Sequence, residues 1–464
     1  MPSNNRLETE KISTLLLEFS VPAIIGMFVN AVYNIVDRIF IGNAPDLGSL
    51  GLAAASITYP VTLVMIAFGL MVGVGGATRF SISLGRKETE KAQHYLGNGV
   101  ALAIIAGLTF TVLGNIFIEP ILRNIGASEA VLPYATDYLS IILYGAVFQC
   151  LAMCMNNFSR ADGNPRISMI SMMIGAGFNI IFDYILIIQL GWGMKGAAYA
   201  TIGGQFLSVI WQLSYFLGKR SNVRLMFVNM KLKLSYVKEI LTTGIPAFLL
   251  QIANSLLNVV INASLVKYGG DVAISVAGIV TSAVTLIIMS ISGLTQGLQP
   301  IVSYNTGAGR IDRVKQALKV GSIIGFLITT TGFLIIQFFP EFVITLFNQE
   351  TAVVALGIKA IRIWTLGFPL VGLQIVWSNY FQAVGEVQLA SFLNLARQLI
   401  FLVPLILILS SIFGLLRNLC CRTVGRCVSL FGYLFLYSKE IAQIKKRITL
   451  SFHLALSEIS LKIL

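Results

Sequence analysis

Apolar runs of about 20 residues recur along nearly the whole of this 464-residue chain, separated by short polar breaks. The pattern predicts spans at 14–42, 53–83, 95–118, 134–158, 167–189, 196–217, 240–267, 273–305, 317–338, 352–382 and 389–413, with a twelfth at 419–437. Each must be helical, because a segment alone in lipid can satisfy its backbone hydrogen bonds only within itself. The expected fold is an all-α polytopic membrane protein of twelve transmembrane helices. The opening MPSNNRLETEKIS is polar, and the run behind it holds Pro22, Asn30, Asn34 and Asp37 without a small-residue cleavage site. It reads as a first span, not a signal peptide.

Composition agrees and adds a topology. The chain is 56% hydrophobic and 11% charged, against roughly 25% charged in soluble proteins. A net charge of +13 would suit nucleic acid, but its placement argues against that partner. Arg86, Lys87 and Lys91 fall in the second loop, Arg160 and Arg166 in the fourth. Residues Lys219 to Lys238 fill the sixth with six basic side chains, and Arg310, Arg313 and Lys315 the eighth. The odd loops NAPDLGSL and FPEFVITLFNQE have none. The positive-inside rule then places the N-terminus and the even loops in the cytoplasm of a plasma-membrane protein.

Several chemistries are missing. His94 and His453 are far apart and the five cysteines show no zinc-binding spacing. No phosphate-binding glycine motif opens a strand–helix unit, which excludes an ATP-driven pump, and no cofactor is expected. No nucleophile–base pair sits at a membrane face, so the chain does not read as an enzyme.

The chain is written twice. A shift of 224 residues lays Pro22-Ala23 on Pro246-Ala247, Asn30 on Asn254, Asn34 on Asn258 and Gly73 on Gly297. It also lays Gly69-Leu70 on Gly293-Leu294, Gly85-Arg86 on Gly309-Arg310 and Lys91 on Lys315. Further on, Ala161 and Gly163 match Ala383 and Gly385 at 222. Two six-helix bundles follow, 14–218 and 239–437, joined by the basic linker 219–238, with a cytoplasmic segment 1–13 and a basic tail 438–464. Six is even, so both bundles enter from one side and can rock about a central cavity, the behaviour of a carrier. Pro22 and Pro246 each remove a helical hydrogen bond at matched places and are candidate hinges.

An aspartate near the bilayer centre costs roughly 2.5–3.5 kcal/mol and needs a reason to be there. In GFNIIFDYIL, Asn179 and Asp183 lie one helical turn apart on one face. Asn30, Asn34 and Asp37 form a second stripe, with Tyr33 beside it, and Thr201 adds a hydroxyl in the sixth span. Two carboxylates with amide and hydroxyl oxygens suit capture of a proton, or of a hard cation such as Na⁺. Asp37 maps onto Ile261, and Asn179 and Asp183 onto Phe401 and Leu405, so the cation site is expected in the first half.

At these residues the chain resembles the multidrug and toxic compound extrusion (MATE) family, over nearly its whole length to about residue 415. NIVDRIFIG, FSRADGNP, FNIIFDYILI, GMKGAAYAT, GIPAFL and FQAVGEVQLA carry the likeness, in order and at the right separations. The resemblance implies a two-lobed antiporter that expels small amphiphilic organic compounds in exchange for Na⁺ or H⁺, expected to be a monomer in the lipid bilayer. It maps a coupling site, or a Na⁺ site, onto Asp37, Asn179, Asp183 and Thr201. It places Asn30, Tyr33, Asn34, Asn156 and Met172 on the cavity wall. A lipid-linked oligosaccharide flippase of related architecture is the alternative; few basic residues lie mid-span to suit it apart from Arg79 and Arg397.

One stretch departs from the family. At LRNLCCRTVGRCVS, residues 416–429, a compatible codon choice read one nucleotide along encodes YGICAAEPLADAS, which has the family's look. A frameshift is expected there, and it would damage the last span.

Overall fold

A computed structural model describes residues 4–44, 47–347 and 350–395, and every regular element among them is helical. The first half contains α1 (Asn4–Thr9), α2 (Ile12–Asn43), α3 (Gly48–Gly85), α4 (Thr89–Ile116) and α5 (Ile118–Ile125). It continues with α6 (Leu132–Tyr144), α7 (Ala146–Ala161), α8 (Pro165–Asp183) and α9 (Gly193–Leu217). The second half contains α10 (Leu234–Gly307), α11 (Ile311–Phe338), α12 (Pro340–Thr345), α13 (Thr351–Thr365), α14 (Phe368–Val384) and α15 (Val387–Leu395).

Among the described residues, seven helical stretches are long and apolar enough to cross a membrane, and nine if two bent pairs count as one span each. The bends are 54° between α6 and α7 and 46° between α13 and α14. The predicted span 196–217 falls on α9, whose 25 residues are sufficient in length but are made more polar by Gln205 and Gln212. The predicted span 419–437, the end of 389–413, the 416–429 stretch and the 438–464 tail lie outside the described residues.

The 74-residue α10 cannot be straight. Gly75 of α3 meets Ile240 and Gly244, whereas Gly85 of α3 meets Tyr304 and Ala308. Gly75 and Gly85 are about 15 Å apart along α3, but a straight helix from residue 244 to residue 307 would cover about 95 Å. The chain therefore doubles back, giving the two spans Leu234–Leu257 and Gly278–Gly307. Both predicted hinges, Pro22 and Pro246, lie inside helices that continue past them.

The halves meet at the end that carries the basic loops. Lipid gives apolar side chains no reason to leave it, so helices associate there by close packing of small residues. A Cβ on Gly75 would overlap the Ile240 carbonyl oxygen, and one on Gly244 would overlap that of Met71. Polar ties reinforce the seam. Arg79 Nε donates to Thr243 Oγ1 at 2.8 Å, Tyr95 Oη to Glu239 at 2.6 Å, and Gln299 to Thr78 at 2.9 Å. The N-terminal segment joins in, with Arg313 donating to the carbonyls of Leu7 at 3.0 Å and Glu10 at 2.7 Å.

Candidate functional site: a buried acid pair in the first half

α2, α8 and α9 bring together the four residues expected at the coupling site. α8 ends at Asp183, and the chain widens there into a π-helical turn, Tyr184–Gln189. Such turns are frequent at functional sites, because the extra residue per turn re-aims a side chain. Asp183 is fully buried and Asn179 is 2% exposed. Across from them, α9 supplies Thr201, whose Oγ1 accepts from Asn179 Nδ2 at 3.3 Å. α2 supplies Asp37, within hydrogen-bonding reach of Asp183.

The contact between the two acids holds no hydrogen when both are ionised. Asp37 Oδ1, both oxygens of Asp183 and Asn179 Oδ1 are closed to solvent, and none has a donor. Four acceptor oxygens without a donor form an arrangement that is costly unless a proton or a cation sits among them. The donor set fits a small hard cation, which prefers carboxylate, amide and hydroxyl oxygens. Among the described residues no group of three or more His, Cys, Asp or Glu side chains forms a metal cluster. Any ion here would therefore be held by two acids with neutral oxygens.

The pair is not at mid-span. Asp37 stands six residues before the end of α2, and Asp183 six before the end of the π-helical turn. Both lie in the half of the bundle away from the basic loops and from the seam.

The expected cavity residues lie at three levels. Tyr33 lies near Asp37 and Asp183. Asn34 Nδ2 donates to Asn30 O at 2.7 Å along the same helix, so that pair is partly spent on its own backbone. Met172 sits lower, where its sulfur fills the space a side chain on Gly26 would need. Asn156 is lower still, its Oδ1 accepting from Ser168 at 3.1 Å and Gln212 at 2.6 Å. Sequence reasoning missed Tyr138 of α6, which lies beside Thr201 and faces Asp37, Tyr33 and Asp183. A tyrosine in ATDYLS gives no polar stripe to mark it. Arg160, counted from sequence among the loop charges, is buried in the last turn of α7.

A repeated helical bundle sealed at one end, with a donor-free acid pair in one half, has the build of a membrane carrier. The MatE family model matches the chain twice, at residues 22–185 and 246–408, and the chain belongs to that family of multidrug efflux transporters. Multidrug export protein MepA of Staphylococcus haemolyticus is 29% identical over 429 residues, 92% of this chain and 94% of that protein. MepA of Staphylococcus aureus strain MRSA252 is 29% identical over 413 residues, 88% of this chain and 89% of its own. Among solved structures, the MATE multidrug transporter DinF-BH in complex with R6G has a TM-score of 0.88 at 34% identity, covering 95% of this chain and 98% of that one. An outward-facing MATE transporter of the MOP superfamily shares the fold, with a TM-score of 0.90 at 24% identity over 96% and 99% of the two chains.

Proposed function

We propose that this protein is a cation-coupled antiporter that exports small amphiphilic organic compounds across the plasma membrane by alternating access. The observation that carries the reading is the set of four buried, donor-free oxygens on Asp37, Asp183 and Asn179. Capture of H⁺ or Na⁺ there removes the repulsion between the acids and changes how α2 packs against α8. Release restores the repulsion, and this difference couples the ion to the shape of the carrier. Tyr33, Asn30, Asn34, Asn156 and Met172 line the first-half wall of the substrate path. Pro22 and Pro246 give the helices at the seam their freedom to bend. The working unit is a monomer of two lobes, 14–218 and 239–437, with its N-terminus and basic loops in the cytoplasm. The export of drugs by MepA and the R6G complex of DinF-BH support this substrate class.

The test is flux in proteoliposomes. A fluorescent organic cation should move against its gradient when a pH gradient or a Na⁺ gradient is imposed. Movement under neither gradient would remove the coupling claim, and movement under one alone would name the ion.

A further inference from the structure

Arg160 takes no part in the acid-pair site, yet it is 6% exposed. Its guanidinium donates to Ser168 Oγ at 2.6 Å and to Asn157 Oδ1 at 2.9 Å, both neutral. No acid offsets its charge among the described residues. An unpaired buried charge is costly and calls for a purpose beyond packing.

The scaffold does not demand this charge. The repeat offset of 222 puts Gln382 of α14 at the equivalent place, and Gln382 is also 6% exposed but neutral. Ser378 and Asn379 answer Asn156 and Asn157 in the same way. One fold thus holds a neutral amide in one copy and a cation in the other.

Two polar regions on the basic-end side of the acid pair meet at Arg160. The first is the seam between the halves, where Arg160 lines a void of about 10 Å³, room for one water. Asn157 and Ala77 of the first half and Gln296, Gln299 and Ser303 of the second are among the residues that line it with Arg160. The second is a line of polar contacts between α8 and α9. It runs from Asn179 with Thr201, through Ser208 Oγ donating to Ser171 O at 2.8 Å, to Ser168 and Gln212, which meet on Asn156. Ser168 is the residue that Arg160 grips.

We propose that Arg160 is an electrostatic stop for cations, placed to keep the coupling ion from leaking through the closed end without exchange for substrate. At about 6 Å and an effective dielectric of about 20, a fixed positive charge lowers the population of a second cation on the order of a hundredfold. Water-lined pathways elsewhere exclude cations by the same device. The proposal rests on the cation-coupled reading above.

The experiment measures dissipation of an imposed H⁺ or Na⁺ gradient by the full chain in proteoliposomes without organic substrate. Arg160→Gln, which writes the second half's residue into the first, should dissipate the gradient about tenfold faster or more than the wild type. Arg160→Lys, which keeps the charge, should stay within about twofold. Gln296→Glu places a carboxylate across the void and should also leak, by neutralising the stop instead of removing it. A monodisperse Arg160→Gln protein that holds its gradient as long as the wild type overturns the proposal; if that variant does not fold, a tight Gln296→Glu protein overturns it equally. Gradient-driven uptake of the organic cation by the wild type in the same vesicles reads the coupling separately. A leak without uptake keeps the stop and removes the antiport reading, and uptake without a leak does the reverse.

Discussion

The two halves share a scaffold but not a chemistry. Pro22 and Pro246, Gly73 and Gly297, and Gly85 and Gly309 recur at one spacing, while Asp37, Asp183 and Arg160 are answered by Ile261, Leu405 and Gln382. The difference follows from what each feature must do. Close backbone packing and tight turns need glycine in either copy: Gly85 and Gly297 meet the opposite half at Tyr304 and Ser20, Gly73 meets Cys154 of its own half, and Gly309 turns the chain at φ +71°. An ion site needs its oxygens once, and each further buried charge adds a cost of its own. The asymmetry therefore separates residues that build the helical scaffold from residues that are expected to work.

The largest expected effect tests the working residues. Asp183→Asn removes a carboxylate from the donor-free set and should reduce gradient-driven export by about tenfold or more, measured as dye flux in proteoliposomes. Asp312→Asn, in the first turn of α11, should leave the same flux within about twofold. Equal losses in the two variants would erase the distinction between the halves.

The seam comes next. A Cβ on Gly75 has nowhere to go, so Gly75→Ala should lower stability by about 1–3 kcal/mol, as a depressed thermal midpoint in detergent. Gly177 of α8 has open space around it, and Gly177→Ala should leave the midpoint unchanged or raise it slightly, since alanine favours helix by about 1 kcal/mol. A fall of similar size at both positions would show that close approach is not what matters at Gly75.

A smaller effect separates the loops. Asp162, after α7, is 1% exposed and accepts from Tyr215 Oη at 2.6 Å, Asn222 N at 2.9 Å and Val223 N at 3.2 Å; the repeat answers it with Val384. Burial pushes its carboxyl up from 3.8 to about 7, against the pull of those three bonds. A carboxyl that holds its proton more tightly when folded stabilises the fold while protonated. That contribution is complete below about pH 4 and fades as the pH rises through about 7. The thermal midpoint should therefore fall between pH 5 and pH 8, and Asp162→Asn should flatten the slope. An unchanged slope would assign the pH dependence to another group.

Much of this was legible in the sequence, because it is written in periodicity and repetition. The predicted spans 14–42, 53–83 and 317–338 fall on α2, α3 and α11, and the two acids that share faces with asparagines do meet. Missing from the pattern was whatever depends on helices far apart in the chain. Arg160 stands in FSRADGNP, beside a glycine and a proline that mark a turn, so local reasoning assigns it to solvent. Only the packing of α7 against α8 and the second half buries it. Tyr138 carries no neighbouring polar partner to form a stripe, and the π-helical turn after Asp183 has no composition cue of its own. The nearness of the acids to the helix ends away from the basic loops was hidden too, since hydropathy fixes a span's extent better than its depth.

The smallest effect examines a tie across the seam that neither repetition nor charge pattern revealed. Tyr95 of α4 is 6% exposed and donates to Glu239, which Arg79 also approaches at 3.6 Å. Glu239 is half exposed, so its ion pair with Arg79 contributes little, and the neutral donor carries most of the contact. Tyr95→Phe keeps the ring against Tyr236 and removes one hydrogen bond, for about 0.5–1.5 kcal/mol. If that bond forms only when the basic end is closed, the loss should fall on the closed state alone. A cysteine placed at the seam, Ala308→Cys, would then react with a water-soluble maleimide about two- to tenfold faster in the Tyr95→Phe background. Identical labelling rates with and without Tyr95 would assign the bond to both states, and the seam would then be held by its glycines.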